Sequence, residues 1–485
     1  MRTSILLLIG LLAAPAAGDR LLAADSEKRP PNIVFIMADD LGYGHLGCYG
    51  QEKIETPRID RLAAEGMRFT QVYAGNNVCA PCRSVLMTGL HMGHTPVRGN
   101  SGGIPLRDAD VTVAEVLKRA GYVTGGFGKW GLGDAGTEGV AHRQGFDEFF
   151  GYYDQVHAHS YYPPYLWHND RKYPLPGNSG RESDGLTGER RGQYSHDEIM
   201  AKARDFIRRH RDRAFFCYVP STIPHTELLV PDDSMRQYAG RWPEPNPYVT
   251  ERKHYADQPA PRTAFAAMVS RLDREVGRIV DLLEELDLDD RTIVFFTSDN
   301  GGQGSGGPDA EFFEANGPLR GYKGMMYEGG LRVPMIVRWP GRIEAGAVRD
   351  HPWYFADVLP TLAELAGVDP PAVDGISVVP TLLGKPGQKN HEFMYWERSG
   401  FDPQTGLLRP KTLVQAVRMG DWKGIRQRPG APLELYDLSA DVGEMTDVSG
   451  RHPEVVARIE QIMASAHEPP PPQIEPEGTG GWLFR

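Results

Sequence analysis

Two pairs of oxygen-bearing residues stand straight after apolar runs. Asp39-Asp40 follows Asn32-Ile33-Val34-Phe35-Ile36-Met37, and Asp299-Asn300 follows Thr292-Ile293-Val294-Phe295-Phe296-Thr297. Brought to one place, three carboxylates and an amide carbonyl repel each other unless a cation sits among them. Hard oxygen donors without His or Cys suit Ca²⁺ or Mg²⁺ rather than Zn²⁺. Either pair alone reads as turn or cap residues; it is the repetition after two strands that favours a metal. Lys129 comes soon after the strand-like Tyr122-Val123-Thr124, and His225 lies just beyond Ala214–Val219. The segment Cys79-Ala80-Pro81-Cys82 has the spacing of a redox dithiol, whose first thiol is activated at a helix start. Thiol–disulfide exchange is therefore one reading of it, although it leaves the Asp pairs and Lys129 unused.

The elements that must position these residues alternate. Thr56 followed by Pro57 starts a helix that Gly66 stops. Thr112 with Glu115, and Ser195 with Glu198, read as capping boxes ahead of further helices, and a long helix covers about 263–286. Short, wholly apolar runs between them read as buried parallel strands. The fold class is therefore α/β, doubly wound around a mostly parallel sheet, and in such sheets ligands bind beyond the carboxyl ends of the strands. The acids, Lys129 and His225 all fall at such ends. The stretches 151–194 and 226–262 carry few regular signals and read as ordered loops around a pocket. Their Tyr152, Tyr161, Tyr162, Trp167 and Arg171 are placed to stack on sugar rings and meet anionic groups. After about residue 384, short strands and a late helix from Pro453 point to a small α+β C-terminal part. The division is 1–24 as a signal peptide, 30–385 as the catalytic domain, and 386–485 as a C-terminal subdomain and tail.

The 485 residues carry a net charge of −11. That argues against nonspecific binding to nucleic acid or to anionic membranes, both of which attract cationic surfaces. Met1-Arg2, an apolar run from Ile5 to Ala14 and the small residues that follow read as a cleaved secretory signal, too short to span a bilayer. The mature protein is expected to be periplasmic or secreted and not an integral membrane protein. Four cysteines, Cys48, Cys79, Cys82 and Cys217, are too few for a disulfide scaffold.

In combination the motifs resemble those of type I, formylglycine-dependent sulfatases of the alkaline phosphatase superfamily. Cys79-Ala80-Pro81-Cys82-Arg83, then Ser84 to Met87 and Thr88-Gly89, is similar to a C-x-P-S-R signature with Cys82 in place of Ser. Gly121-Tyr122-Val123-Thr124-Gly125-Gly126-Phe127-Gly128-Lys129-Trp130-Gly131-Leu132-Gly133 is similar to G-Y-x-T-G-x-x-G-K-W-H-L-G, with Gly131 in place of His. Ala38-Asp39-Asp40-Leu41-Gly42-Tyr43-Gly44, Pro224-His225, Ser298-Asp299-Asn300-Gly301 and Leu319-Arg320-Gly321-Tyr322-Lys323-Gly324 extend the resemblance over about 31–450. It implies that a maturation enzyme oxidises Cys79 to Cα-formylglycine, whose hydrate attacks sulfur and later expels sulfate. It implies Ca²⁺, or Mg²⁺, held by Asp39, Asp40, Cys79, Asp299 and Asn300. Arg83 and Lys129 would stabilise the hydrate and the ester; His225 and Lys323 would bind the sulfate and protonate the leaving oxygen.

The implied substrate is a sulfated saccharide or an aryl sulfate, the saccharide preferred for the aromatic loops. Gly131 departs from the pattern, because the family His there partners a hydroxyl of the hydrate. His157 or His159, in a nearby pocket loop, is the candidate to supply the missing base or to contact substrate. A phosphoesterase or phosphonate hydrolase on the same fold, and a noncatalytic binder of sugar sulfates, are the remaining alternatives.

Overall fold

The computed structural model describes residues 29–100, 104–180, 187–250, 255–401 and 408–470. The segment expected to be a signal peptide and most of the C-terminal tail lie outside these residues.

Eleven strands form the main sheet. In chain order these are β1 (Asn32–Ala38), β2 (Met67–Tyr73), β3 (Val123–Lys129), β4 (Glu148–Tyr152), β5 (Tyr165–His168), β6 (Arg171–Pro174), β7 (Phe215–Pro220), β8 (Thr292–Ser298), β9 (Arg332–Arg338), β10 (Ala347–Arg349) and β11 (Trp353–Tyr354). Their spatial order is β10-β2-β9-β8-β1-β7-β3-β4-β5-β6, with β11 also on β2. The centre, β8-β1-β7-β3-β4, is parallel, and β9 and the β5–β6 hairpin are antiparallel additions. The parallel strands are apolar along their length because both faces are covered. On β1, Ile33, Phe35 and Met37 enter one core, while Val34, Ile36 and Ala38 enter the other. That is the two-residue side-chain period acting on a sheet buried twice.

On the first face lie α2 (Cys79–Thr88), α3 (Val113–Arg119) and α6 (Val358–Ala366); on the second lie α1 (Pro57–Glu65), α4 (Ser195–Arg209) and the long α5 (Pro261–Glu285). Thr112 and Glu115 form the expected capping box on α3. The box expected at Ser195 does not form. Tyr194 is the N-cap and Ser195 is already helical, with no side chain capping the end. Within 151–194, expected to be loop, the structure builds the β5–β6 hairpin, whose Trp167 and Tyr165 lie under the Lys172 ammonium.

A second, antiparallel sheet of β12 (Met394–Phe401), β13 (Leu408–Met419), β14 (Trp422–Arg426) and β15 (Glu434–Asp437) packs with α7 (Pro453–Ala466) against the first face. A fully buried ion group ties it to the main sheet. Lys423 on β14 places Nζ 2.8 Å from Glu328 and 3.1 Å from Glu444, and the Glu328 carboxylate also accepts from Tyr73. Burial raises the Glu328 pKa, but Lys423, Arg332 and Arg418 outweigh it and hold the carboxyl down at about 2. Glu444 is pushed up to about 7 by burial, against the pull of Lys423.

Removing the ammonium leaves two buried carboxyls without a cation. Lys423→Met is expected to lower the unfolding free energy by about 3–5 kcal/mol in denaturant titrations at pH 8. Without Lys423 both folded-state pKa values rise, so the folded variant binds more protons than its unfolded chain between those values. Its stability therefore falls as pH rises, and the deficit against wild type is smaller at pH 5 than at pH 8.

Candidate active site

The strand order decides which residues meet. Because β8, β1, β7 and β3 are neighbours and parallel, their carboxyl ends open on the same edge. Ala38 pairs in register with Ser298, so Asp39-Asp40 and Asp299-Asn300 leave the sheet side by side. The Asp299 amide donates to Ala38 O at 3.0 Å, and the Asp40 amide donates to Asp299 Oδ1 at 3.2 Å. Lys129 is the last residue of β3, and His225 follows β7 after a short turn.

Strand β3 reaches Lys129 through glycines for a steric reason. A Cβ on Gly128 would stand 1.9 Å from Pro220 O, and the residue sits at φ 140°. Side chains there would force β7 away from β3 just where Lys129 must enter the site.

Cys79 is the first residue of α2, with Val78 as N-cap. Arg83 lies one turn on and so projects from the same face. Cys79 donates through sulfur to Asp39 Oδ1 at 3.4 Å. Arg83 donates from Nη2 to Asp299 Oδ2 at 2.7 Å and to Asp39 Oδ2 at 3.4 Å, and from Nη1 to Lys129 O at 2.5 Å. Lys129 Nζ donates to Asp39 Oδ2 at 2.7 Å, and Lys323 Nζ donates to Asp40 Oδ2 at 2.8 Å. His225 Nε2 lies 3.4 Å from Asp40 Oδ2, while its Nδ1 faces Thr226 O. The Lys323 loop is fastened to the start of α2 by the bond from Gly324 N to Asn77 O at 2.8 Å.

Three carboxylates thus face three side-chain cations, nearly all removed from water. For Asp39, burial pushes the pKa up, but Lys129, His225, Arg83 and Lys323 together hold it well below the carboxylate range. Asp299 is pushed up to about 6 by burial and then by Asp39, against Arg83. Lys323 stays charged: burial lowers its pKa, and Asp40, Cys79 and Asp39 raise it further.

Among the acceptor atoms of this group, one is left without a partner. Asn300 Nδ2 donates to Asp40 Oδ1 at 2.7 Å and to Gly301 O at 2.9 Å, which fixes the amide's orientation. Its Oδ1 is buried and has no hydrogen-bond partner. A buried carbonyl oxygen without a donor, on an amide whose nitrogen meets Asp40, suits a hard cation as a ligand. Ligand atoms of Asp39, Asp40, Cys79 and His225 lie within 4.8 Å of one another, so these four form a group able to hold an ion; it shares Asp39, Asp40 and Cys79 with the expected set, whereas His225 joins it and Asp299, held by Arg83, does not.

A cavity of about 320 Å³ opens on the cluster, lined by Cys79, Gln155, His159, His225, Tyr255 and Lys323 among others. A larger hollow of about 840 Å³ near Pro360 and Lys389 shares no residue with it. The two loop histidines separate. His159 lines the cavity and stacks on His225, ring centroids 4.3 Å apart and ring planes nearly parallel at 11°. His157 does not line it: the ring is buried between Tyr152 and Tyr165, and Nε2 meets Tyr165 O at 3.1 Å. The aromatics expected to stack on sugars are likewise absent from the lining. Tyr152 and Tyr161 are fully buried, and Tyr161 donates to Thr222 O and His225 O, bracing the turn that carries His225. Aromatic composition points to a pocket or a core alike; here the core takes Tyr152, Tyr161 and Tyr162, while Trp167 is half-buried and Arg171 exposed, both away from the cavity. Gln155 and Tyr255, which do line the cavity, stood in no motif.

The surroundings of the cysteine pair disfavour a thiolate. Burial, and then Asp39, push the Cys79 thiol up to about 12, and burial pushes Cys82 well above its usual range. Thiol exchange needs a thiolate near neutral pH.

Residues 31–368 match the family model for sulfatase, and 321–468 match that for the C-terminal region of N-sulphoglucosamine sulphohydrolase. Human arylsulfatase A is 35% identical over 507 aligned residues, covering 93% of this chain and 89% of its own. Human N-acetylgalactosamine-6-sulfatase is 30% identical with the same coverage of both chains. The crystal structure of Ps i-CgsB in complex with k-i-k-neocarrahexaose superposes with a TM-score of 0.72 at 27% identity, over 93% of this chain and 96% of that one. The matched region holds every residue of the carboxylate and cation cluster, and with that the chain is assigned: it belongs to the sulfatase family and is a sulfuric ester hydrolase.

Proposed function

We propose that this protein removes sulfate from a sulfated carbohydrate, using an oxidised Cys79 beside a Ca²⁺ or Mg²⁺ ion held by Asp39, Asp40, Asp299 and Asn300. The observation that carries the reading is the position of Cys79: at the floor of the cavity, 3.4 Å from Asp39, with Arg83, Lys129 and Lys323 all engaged with the same carboxylates.

Bound there, a dication would polarise the ester and favour the ionised nucleophile, as metal sites do in ester hydrolysis. The chain's own residues do the rest. Three carboxylates against three cations leave the cluster near neutral, so a bound dication makes it net positive and draws in an anionic ester. Arg83 is locked to Asp299 and to Lys129 O, so it positions rather than reaches. Lys129 Nζ, held by Asp39, keeps a positive charge beside residue 79, where charge develops on sulfuryl oxygens. Lys323 and His225 face the cavity and serve the leaving side: they hold sulfuryl oxygens and return a proton to the departing alcohol oxygen.

The lining supports a sugar over a flat aryl group. His159, Gln155, Gln303 and Ser305 offer hydrogen bonds, and Tyr255 offers one aromatic plane. The names of relatives, an N-acetylgalactosamine-6-sulfatase and a structure holding a neocarrahexaose, point the same way.

Every residue of α2 is buried, Cys79 at 1% exposure. The maturation enzyme must therefore meet the Cys79–Arg83 segment before the chain folds. The expected periplasmic or secreted location fits that order of events. Among the described residues no helix is long and apolar enough to cross a membrane.

Expressed with a formylglycine-generating enzyme, the peptide over residue 79 is expected to show the mass of formylglycine. The protein should then turn over an aryl sulfate far faster than the matching aryl phosphate, and a panel of sulfated sugars faster still. An intact cysteine in active protein, or a preference for phosphate, would sink the reading. Added Ca²⁺ or Mg²⁺ is expected to raise the melting temperature of chelator-treated protein in a concentration-dependent way, because binding to the native state alone stabilises it by mass action. Asn300→Leu should shrink that rise at a given ion concentration; Asn300→Asp, which keeps an oxygen there, should retain most of it.

A further inference from the structure

The volume beside Gly131 is already taken. Its backbone is left-handed at φ 76°, and a Cβ there would lie 1.9 Å from Nε2 of Gln155. Position 131 and position 155 therefore compete for one space, and in this chain the side chain that fills it comes from 155. Gln155 is 7% exposed and lines the cavity with Cys79, His159 and Lys323.

Its amide is incompletely bonded. Nε2 lies 3.5 Å from Gly131 O, at the long limit of a hydrogen bond. Oε1 is buried and has no hydrogen-bond partner. Leaving such an acceptor unpaired is costly, so a donor in the working state is favoured. The nearby cations are otherwise engaged: Lys129 with Asp39, Lys323 with Asp40, Arg83 with Asp299. What a sulfate-ester hydrolase brings into this cavity is hydroxyl groups.

Resting on the function proposed above, we propose that Gln155 Oε1 accepts a hydrogen bond from a hydroxyl in the cavity and so positions it. That hydroxyl belongs either to the hydrated residue 79 or to the sugar beside its sulfated carbon. An amide does not titrate in the working range, so it orients the hydroxyl without removing its proton. Its contribution is therefore flat in pH, unlike that of an imidazole.

The test compares wild-type matured protein with Gln155→Leu, close to Gln in size and without polar atoms, and with Gln155→Ser should the Leu variant fail to fold. The measurements are kcat/KM on an aryl sulfate and on a sulfated monosaccharide across pH, and the rate at which a hydrazide labels the aldehyde of residue 79. If the hydroxyl is that of residue 79, kcat/KM falls about tenfold or more on both substrates and labelling speeds up, because the hydrate has lost a partner. If it is the sugar's, only the saccharide suffers and labelling is unchanged. In both cases the pH profile keeps its wild-type shape. The proposal is overturned if both substrates stay within about twofold of wild type with labelling unchanged, or if the variant shifts a limb of the pH profile, which would mean that Gln155 acts by holding a titrating neighbour. Failure of the underlying reading looks different: wild type itself then turns over no sulfate ester.

Discussion

Burying Asp39, Asp40 and Asp299 at one sheet edge is the constraint that the rest of the molecule answers. Carboxylates removed from water and set within a few ångströms of each other are untenable without compensation. The fold answers with Arg83 from the first turn of α2, Lys129 from the end of β3 and Lys323 from a loop pinned to the start of α2. Each cation arrives from a different element, so the cluster also records how those elements pack. The charge balance is near even, and Asn300 Oδ1 is an acceptor left without a partner. A cluster near neutral by itself, with one oxygen unpartnered, is what the proposed cation would complete.

That edge needs rigid support, and the C-terminal sheet supplies part of it. Glu328 lies a few residues after Lys323, starts the short helix Glu328–Leu331, and is locked by Lys423 from β14. The buried Glu328–Lys423–Glu444 group therefore anchors the chain between the Lys323 loop and β9. On the other side, Tyr161 and Tyr152 hold the segment carrying His225 and His159 through their hydroxyls. Aromatic rings with a polar tip can brace a turn from within the core, which a purely apolar side chain cannot.

Much of the fold was legible from local physics. β1, β7 and β8 were plain as short apolar runs, because strands covered on both faces have no reason to alternate. The Thr112 capping box was plain because its two hydrogen bonds are local. Ser195 was misread for the same reason: the pattern Ser-x-x-Glu is local, but Tyr194 packs against Tyr161 and Tyr162 and takes the cap position. The β5–β6 hairpin is local, but its short strands, Tyr165–His168 and Arg171–Pro174, carry no apolar alternation to mark them; β9 is not marked because its partners, β8 and β2, lie far along the chain. Of the aromatic loop residues expected at a pocket, Tyr152, Tyr161 and Tyr162 are core and Trp167 is half-buried, since composition alone does not say which way a ring faces.

By itself the sequence determined the residue types and their order: two oxygen pairs after apolar strands, a cysteine four residues before an arginine, and a glycine two residues after Lys129. Those facts are covalent, and they sufficed to name the chemistry. Only the tertiary structure decided which side chains share a cavity. His159 stacks on His225 while His157, two residues away, turns into the core, because a single turn of 3₁₀ helix points them apart. Gln155 fills the space beside Gly131 for a reason no spacing could reveal: excluded volume acts between residues 24 positions apart only once the chain has brought them together.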